Sequence, residues 1–416
     1  MLPRPSLSVQ LPSLYDGTKL ECRVYHPACL NDPSVSLAAA PWPRHAAVVA
    51  HPYAPLGGCF DDPVVDVVAS ALLQLSFVVA TFNFRTSTSN RGTSSSGGRT
   101  SWTSRPERAD YMSAAAFLAY YVHYLDPPQA SAPRANQTGP GPTMLLAGYS
   151  YGAMITIKLP PFDAVMSYLS TPVVGTTAAD IRLRAQHLAE QQNALFAMPV
   201  SPRKSLGMRT GGREDTLPRK SYDRPRERAR DGEERIRNGV LDLLQRTKLI
   251  RQKQKVPALS GDQETEAVEG QQTHDCLARV EDLVGFRSAY LAVSPPIGLV
   301  TSLATMSFSN PFASWSRRSS GRSRNGGDEG AAEQAAAEGK LTTNPTLVIY
   351  GSQDGFLTPR KVREWTAQLS RTEGSLFQHV EVSGAGHFWD EEGVVAKLTG
   401  AIASFASGLI GEQKVR

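Results

Sequence analysis

Two rhythms of apolar residues alternate along this chain. Strand-like segments occur at Leu20 to Tyr25, Ala46 to Ala50, Phe77 to Phe84, Met144 to Ala147, Arg287 to Ser294, Thr346 to Tyr350 and His379 to Val382. The first alternates apolar and polar residues, whereas Ala46 to Ala50 is the unbroken apolar run of a strand covered on both faces. Between these segments, apolar residues recur at helical spacing over Val64 to Leu75, Glu107 to Tyr124, Ala178 to Ala197, Pro359 to Leu369 and Gly393 to Leu409. Pro63 and Pro359 suit the first turns of two of these helices, and Asp61, Asp62 and Asp66 suit the positive end of one. Strands alternating with helices require crossover connections, so the pattern predicts an α/β protein: a mainly parallel sheet with helices on both faces. Sites in such sheets gather at the carboxyl ends of the strands.

The alternation is interrupted. A Ser/Thr/Gly/Arg-rich loop follows Arg85 to about Ser104, and Asp126 to Pro142 is another polar connection. Pro160 and Pro161 cut the helix that follows Ser150 to about two turns. Asp163 to Val173 reads as a strand or a lining segment, Ser201 to Asp231 as disordered, and Val256 to Asp275 as polar connection. Gly232 to Lys255 reads as a basic helix with Ile236, Val240, Leu243 and Leu244 on one face. The expected division is therefore a first part of the core at 1–158 and a large, partly disordered, basic insertion or cap at 159–286. A core strand with a pocket-lining segment follows at 287–314, then a low-complexity insert at 315–341, then the second part of the core at 342–416.

With 416 residues, 41% of them hydrophobic, the chain can form one large catalytic domain with insertions or two ordinary ones. The net charge of +5 would suggest nucleic acid if it were spread over the fold, but it is not. Residues 203–256 hold 17 Lys or Arg against 8 Asp or Glu, which leaves the rest mildly acidic. No nucleic-acid partner is expected; the basic insertion suits an anionic or protein partner instead. Residues 1–17 carry three prolines and no long apolar run, and no eighteen consecutive residues are apolar. Neither a secretory signal nor a membrane span is expected, and the expected location is cytoplasmic. Cys22, Cys29, Cys59 and Cys276 lack metal-ligand spacing and read as unbridged thiols.

The chemistry centres on Thr143 to Thr156, where an apolar strand breaks into Gly148-Tyr149-Ser150-Tyr151-Gly152 and resumes as a helix. In that context a G-x-S-x-G pentapeptide is a nucleophile elbow. A serine held on a sharp turn brings backbones too close for side chains at Gly148 and Gly152. A serine hydroxyl needs a base, and the base needs a third group to fix its tautomer. Two later strand ends supply them: Gly351-Ser352-Gln353-Asp354-Gly355-Phe356 after Tyr350, and Ser383-Gly384-Ala385-Gly386-His387-Phe388 after Val382. Asp390 and Asp110 are alternatives to Asp354, with Asp110 and Glu107 also suited to the first turn of their helix.

The order Ser, Asp, His resembles the α/β-hydrolase superfamily, and within it a group of little-characterised intracellular hydrolases. The residues that carry the resemblance are His51-Pro52-Tyr53 with Gly57-Gly58, Phe82-Asn83-Phe84-Arg85, Gly148 to Gly152, Tyr350-Gly351 with Asp354, and Gly386-His387-Phe388. The resemblance covers about residues 20–168 and 287–409. It implies an α/β-hydrolase fold with Ser150 as nucleophile, His387 as general base and then acid, and Asp354 as its orienter. It places the oxyanion donors at the backbone N–H groups of Tyr151 and Tyr53, with Leu56 or Gly57 as substitutes for the latter. The implied activity is hydrolysis of an ester, thioester or similar small acyl substrate through an acyl-enzyme, without metal or cofactor. The alternatives are a peptidase or amidase with the same triad, and an idle hydrolase fold that binds partners. Thr86 and a long loop stand where relatives carry a glycine and a compact turn, which changes the pocket wall. Ala153 after the elbow tilts against a peptidase. His51 reads as a structural loop histidine, Arg85 as a loop brace or an anion-steering group, and Pro296 to Phe308 as an acyl pocket or plain core.

Overall fold

The computed structural model describes residues 1–31, 42–85, 104–127, 141–197, 234–245, 275–297 and 328–411. Its strands β1 (Leu7–Pro12), β2 (Lys19–Tyr25), β3 (Ala46–Ala50), β4 (Val78–Phe82), β5 (Thr143–Tyr149), β6 (Arg287–Val293), β7 (Thr346–Gly351) and β8 (Phe377–Val382) form one sheet. The order is β1-β2-β4-β3-β5-β6-β7-β8. β2 runs antiparallel to both of its neighbours, and every other pair is parallel. This is the expected mainly parallel sheet, with β1 and β2 adding an antiparallel edge.

The helices longer than one turn among the described residues are α1 (Pro63–Gln74), α2 (Arg105–Tyr124), α3 (Tyr151–Lys158), α4 (Phe162–Tyr168), α5 (Thr177–Ala197), α6 (234–245), α7 (Asp328–Thr343), α8 (Pro359–Arg371) and α9 (Val394–Gly411). The pleat of the sheet divides the core in two. On β3, Ala46, Val48 and Ala50 face a cluster built with α2 to α8, while Ala47 and Val49 face a second cluster built with α1 and α9. Both faces are covered, which is why β3 is apolar at every position and its neighbours β4 and β5 at all but one or two. By length and composition α9 could cross a membrane. Its Leu398, Ile402, Phe405 and Leu409 form instead a buried stripe on the sheet.

Several expectations are corrected. Residues 163–173 are not a strand: α4 occupies Phe162–Tyr168, with Phe162 and Val165 buried one helical turn apart. The low-complexity insert is helical over Asp328–Thr343, and its last turn buries Leu341, so the boundary at 341 falls inside an element. Ala-rich sequence is intrinsically helical even where it lacks complexity. The structure adds β1, an edge strand. In the 159–286 segment, α5 packs along α2 and buries Ile181 and Leu188; α6 buries Ile236, Val240 and Leu243 in the same cluster. Its described helices thus form an extra layer outside α2, which explains why α2 is buried nearly all round. The segments 201–231 and 256–274, and most of 296–308, lie outside the described residues.

Candidate active site

Ser150 stands between the end of β5 and the start of α3 with φ 54° and ψ −116°, a conformation that L residues rarely adopt. Its N–H donates to Val293 O on the neighbouring strand at 2.8 Å, which ties the turn to the sheet. A Cβ on Gly148 would lie at 2.4 Å from the Gly152 carbonyl oxygen, and one on Gly152 at 2.5 Å from Ala50 O. Backbone therefore occupies the space of both missing side chains. The strain at Ser150, of order 1–3 kcal/mol, persists because the packed glycines and the sheet bond leave no relaxed alternative.

The ends of β7 and β8 bring two further side chains to this point. His387 Nε2 lies 2.9 Å from Ser150 Oγ, and His387 Nδ1 lies 2.9 and 2.8 Å from the two carboxylate oxygens of Asp354. The Asp354 side chain is fully buried and the imidazole nearly so. With Asp354 ionised, Nδ1 carries the proton and donates it, which leaves Nε2 free to accept from the serine hydroxyl. Asp354 also accepts the Phe356 N–H at 3.0 Å, so the carboxylate is fixed by its own turn. The alternatives lie elsewhere: Asp390 is exposed, and Asp110 belongs to a separate cluster.

Tyr151 and Tyr53 sit side by side, their rings 5.2 Å apart. Tyr151 is the first residue of α3, where an N–H has no partner within the helix. Tyr53 precedes a turn in which Leu56 N–H bonds Tyr53 O and Gly57 N–H bonds Ala54 O. The two substitute donors are therefore spent inside the turn, whereas the N–H of Tyr53 makes no hydrogen bond among the described residues. His51 is fully buried; its Nε2 accepts the Phe84 N–H at 2.9 Å, and Nδ1 lies 2.5 Å from Pro52 O. Burial pulls its pKa down to about 4, so it is a neutral loop histidine.

Arg85 is a brace. It pairs side-on with the buried Asp110 through Nε at 3.1 Å and Nη2 at 2.7 Å, and reaches Asp16 at 2.8 Å and the Ser13 hydroxyl at 3.1 Å. This corrects the reading of Asp110 as a helix-end charge: the carboxylate serves Arg85 instead. Asp62 does cap α1, accepting the N–H groups of Val64 and Val65. At the far end of α3, the buried Lys340 ammonium donates to the carbonyls of Thr156, Ile157 and Leu159 at 3.2, 2.9 and 2.7 Å. Burial pulls its pKa down to about 7, while three carbonyls favour the form with three protons to give.

Sequence reasoning missed the groups that hold the His387 loop. Tyr149 Oη donates to the His387 carbonyl at 2.7 Å, Glu391 accepts the Gly386 N–H at 2.8 Å, and the buried Trp389 donates through Nε1 to Ser294 Oγ at 3.2 Å. Only the position of Tyr149 inside the pentapeptide hinted at such a role.

No family model and no curated protein matches the sequence. Solved structures do. An α/β serine hydrolase without a lid from Xanthomonas campestris is 15% identical, over 98% of this chain and 97% of that one, with a TM-score of 0.42. An α/β serine hydrolase homologue from Coxiella burnetii is 14% identical, over 97% of this chain and 99% of that one, with a TM-score of 0.41. An esterase from Pyrococcus furiosus is 11% identical, over 97% of this chain and 91% of that one, with a TM-score of 0.42. Likeness at this level says nothing of substrate, which has to be read from the chain's own side chains.

Proposed function

We propose that the protein is a serine hydrolase that cleaves an ester, thioester or similar acyl substrate through an acyl-enzyme. The observation that carries this reading is the continuous relay from Ser150 Oγ to His387 Nε2 at 2.9 Å and from His387 Nδ1 to Asp354 at 2.8 Å. Ser150 Oγ attacks the carbonyl carbon while His387 takes its proton, and Asp354 stabilises the imidazolium. The N–H groups of Tyr151 and Tyr53 receive the oxyanion. His387 then gives its proton to the departing oxygen or sulfur, and water, activated by the same imidazole, releases the acid. The buried carboxylate and the anchored histidine loop support this assignment, because a base must hold its direction through both half-reactions.

The test is Ser150→Ala in the full chain, with a fluorophosphonate probe and a p-nitrophenyl ester. The wild type is expected to take the probe on Ser150 and to turn over the ester; the variant is expected to do neither. Labelling that persists in Ser150→Ala removes Ser150 from the role, and a wild type inert to both reagents removes the hydrolase reading altogether.

A further inference from the structure

Two phenylalanines follow the His–Asp pair in sequence, in Asp354-Gly355-Phe356 and His387-Phe388. Both are exposed, at 48% and 65%, whereas the other phenylalanines among the described residues are buried or half-buried. Their rings flank the imidazole. The Phe356 centroid lies 4.6 Å from that of His387, the Phe388 centroid lies 5.5 Å from it, and the two phenyl rings meet at 85° with centroids 5.8 Å apart. Together they form an open apolar corner against the proton-transferring group.

The exposure is built in. Phe356 is set by its N–H bond to Asp354, the carboxylate that also orients His387. Phe388 stands between two anchored residues: the His387 carbonyl accepts from Tyr149, and Trp389 is buried with its indole N–H on Ser294. Trp389 has φ 59°, an unfavourable conformation for so large a residue, and this sharp reversal puts the indole inside and leaves the phenyl ring outside. Folding alone gives no reason to hold two large rings in water beside a histidine.

Resting on the proposed hydrolysis, we infer that Phe356 and Phe388 form the leaving-group site and select esters of uncharged aromatic alcohols. The departing oxygen must come within hydrogen-bond reach of His387 Nε2 to be protonated, so its substituent lies against whatever surrounds the imidazole. The acyl carbonyl is drawn the other way, toward the N–H groups of Tyr151 and Tyr53. A corner with one ring turned edge-on to the other offers a third ring both a face and an edge, the arrangements aromatic rings prefer.

The test uses two acetates whose alcohols have similar basicity, ethyl acetate and 2-phenylethyl acetate, with wild type, F356A, F388A and the double variant. Wild type is expected to favour 2-phenylethyl acetate by at least about 30-fold in kcat/KM, and each truncation to cut that preference to between about a third and about a tenth of its value. The double variant is expected to bring the ratio close to one, while Phe→Leu at both positions keeps part of it. Moving the ring to the acyl side, as methyl phenylacetate, is expected to leave the variants and wild type with similar ratios to methyl acetate. A wild type that takes the fluorophosphonate on Ser150 but shows no preference overturns the leaving-group site alone. Equal losses on both acetates also overturn it, since they show that the rings serve the histidine and not the substrate. A wild type that neither labels nor hydrolyses overturns the proposed function with it.

Discussion

Acid is the perturbation whose effect can be worked out most fully. His26, His45 and His51 are each at most 1% exposed, and burial pulls each pKa down to about 4, with the charge of Arg287 adding to the effect at His45. Geometry agrees at two of them. Thr143 N–H donates into His45 Nδ1 at 3.0 Å and Phe84 N–H donates into His51 Nε2 at 2.9 Å, so protonating either acceptor nitrogen breaks a backbone bond at the entry or exit of a strand. In the unfolded chain the same imidazoles titrate near about 6.5. The folded state thus binds fewer protons, and the stabilisation is complete above about 6.5 and is lost as pH falls toward about 4. At pH 5 each imidazole would forgo about 2 kcal/mol, or about 6 kcal/mol for the three, against a typical total of about 5–15 kcal/mol.

Urea unfolding followed by circular dichroism at closely spaced pH values measures this directly. Between pH 4.5 and 6 the three groups contribute a slope of about 3.6 kcal/mol per pH unit, equivalent to an uptake of about 2.7 protons on unfolding. Buried Asp62 and Asp110, whose pKa values burial raises, act in the opposite sense. His45→Asn isolates one term: its side-chain oxygen can still accept from Thr143, but it cannot titrate. Its slope is expected to fall by about 1.2 kcal/mol per pH unit, whatever its stability at neutral pH. A variant slope equal to that of the wild type would refute the claim that burial holds His45 neutral.

Three further outcomes follow from the same geometry. Asp354→Asn is expected to lower kcat by about 10⁴ and slow fluorophosphonate labelling in parallel, because the amide can present a donor to Nδ1 and favour the wrong tautomer. Gly148→Ala places a Cβ within 2.4 Å of the Gly152 carbonyl oxygen, and calorimetry should show a stability loss of at least about 3 kcal/mol together with loss of ester turnover. Arg85→Met strands the buried Asp110 carboxylate and should cost about 3–5 kcal/mol in urea unfolding, while Arg85→Met with Asp110→Leu should recover most of it.

What the sequence made legible was whatever depends on near neighbours. β3, β5 and β7 announce themselves because both faces are covered, so apart from the opening Thr143 and Thr346 their residues are apolar or glycine. Ser150, Asp354 and His387 could be placed on one edge because each follows such a run by a few residues. β1 could not: at the sheet edge only Val9 and Leu11 are buried, and Pro12 reads as a breaker. α4 follows two prolines and is too short to display a period. The long-range polar pairs left no pattern at all. Arg85 meets Asp110 across a loop of uninformative composition, and the hydroxyl of Tyr149 meets a carbonyl 238 residues away, so both pairings exist only once the sheet has assembled.

That assembly also explains how the chain carries a large insertion so close to the nucleophile. The 159–286 segment leaves just after α3 and returns at β6, the strand paired to β5 along its whole length, from Thr143 opposite Arg287 to Tyr149 opposite Val293. Ser150 itself donates to Val293, so the two ends of the excursion are joined by the ladder that shapes the elbow. Lengthening this connection from a dozen residues to about 130 costs only about 2 kcal/mol in closure entropy, because that cost grows with the logarithm of length. The apolar faces of α5, laid on α2, and of α6 in the same cluster provide an offset of at least that size: Ile181, Leu188, Ile236, Val240 and Leu243 are all buried there, at about 1.5–3 kcal/mol for each fully buried side chain. The elbow, the histidine loop and the aspartate turn take their geometry from β5, β6, β7 and β8 and from bonds among themselves, without using any of those five side chains. Among the described residues, the bonds that set the site are therefore distinct from the packing that anchors these two helices.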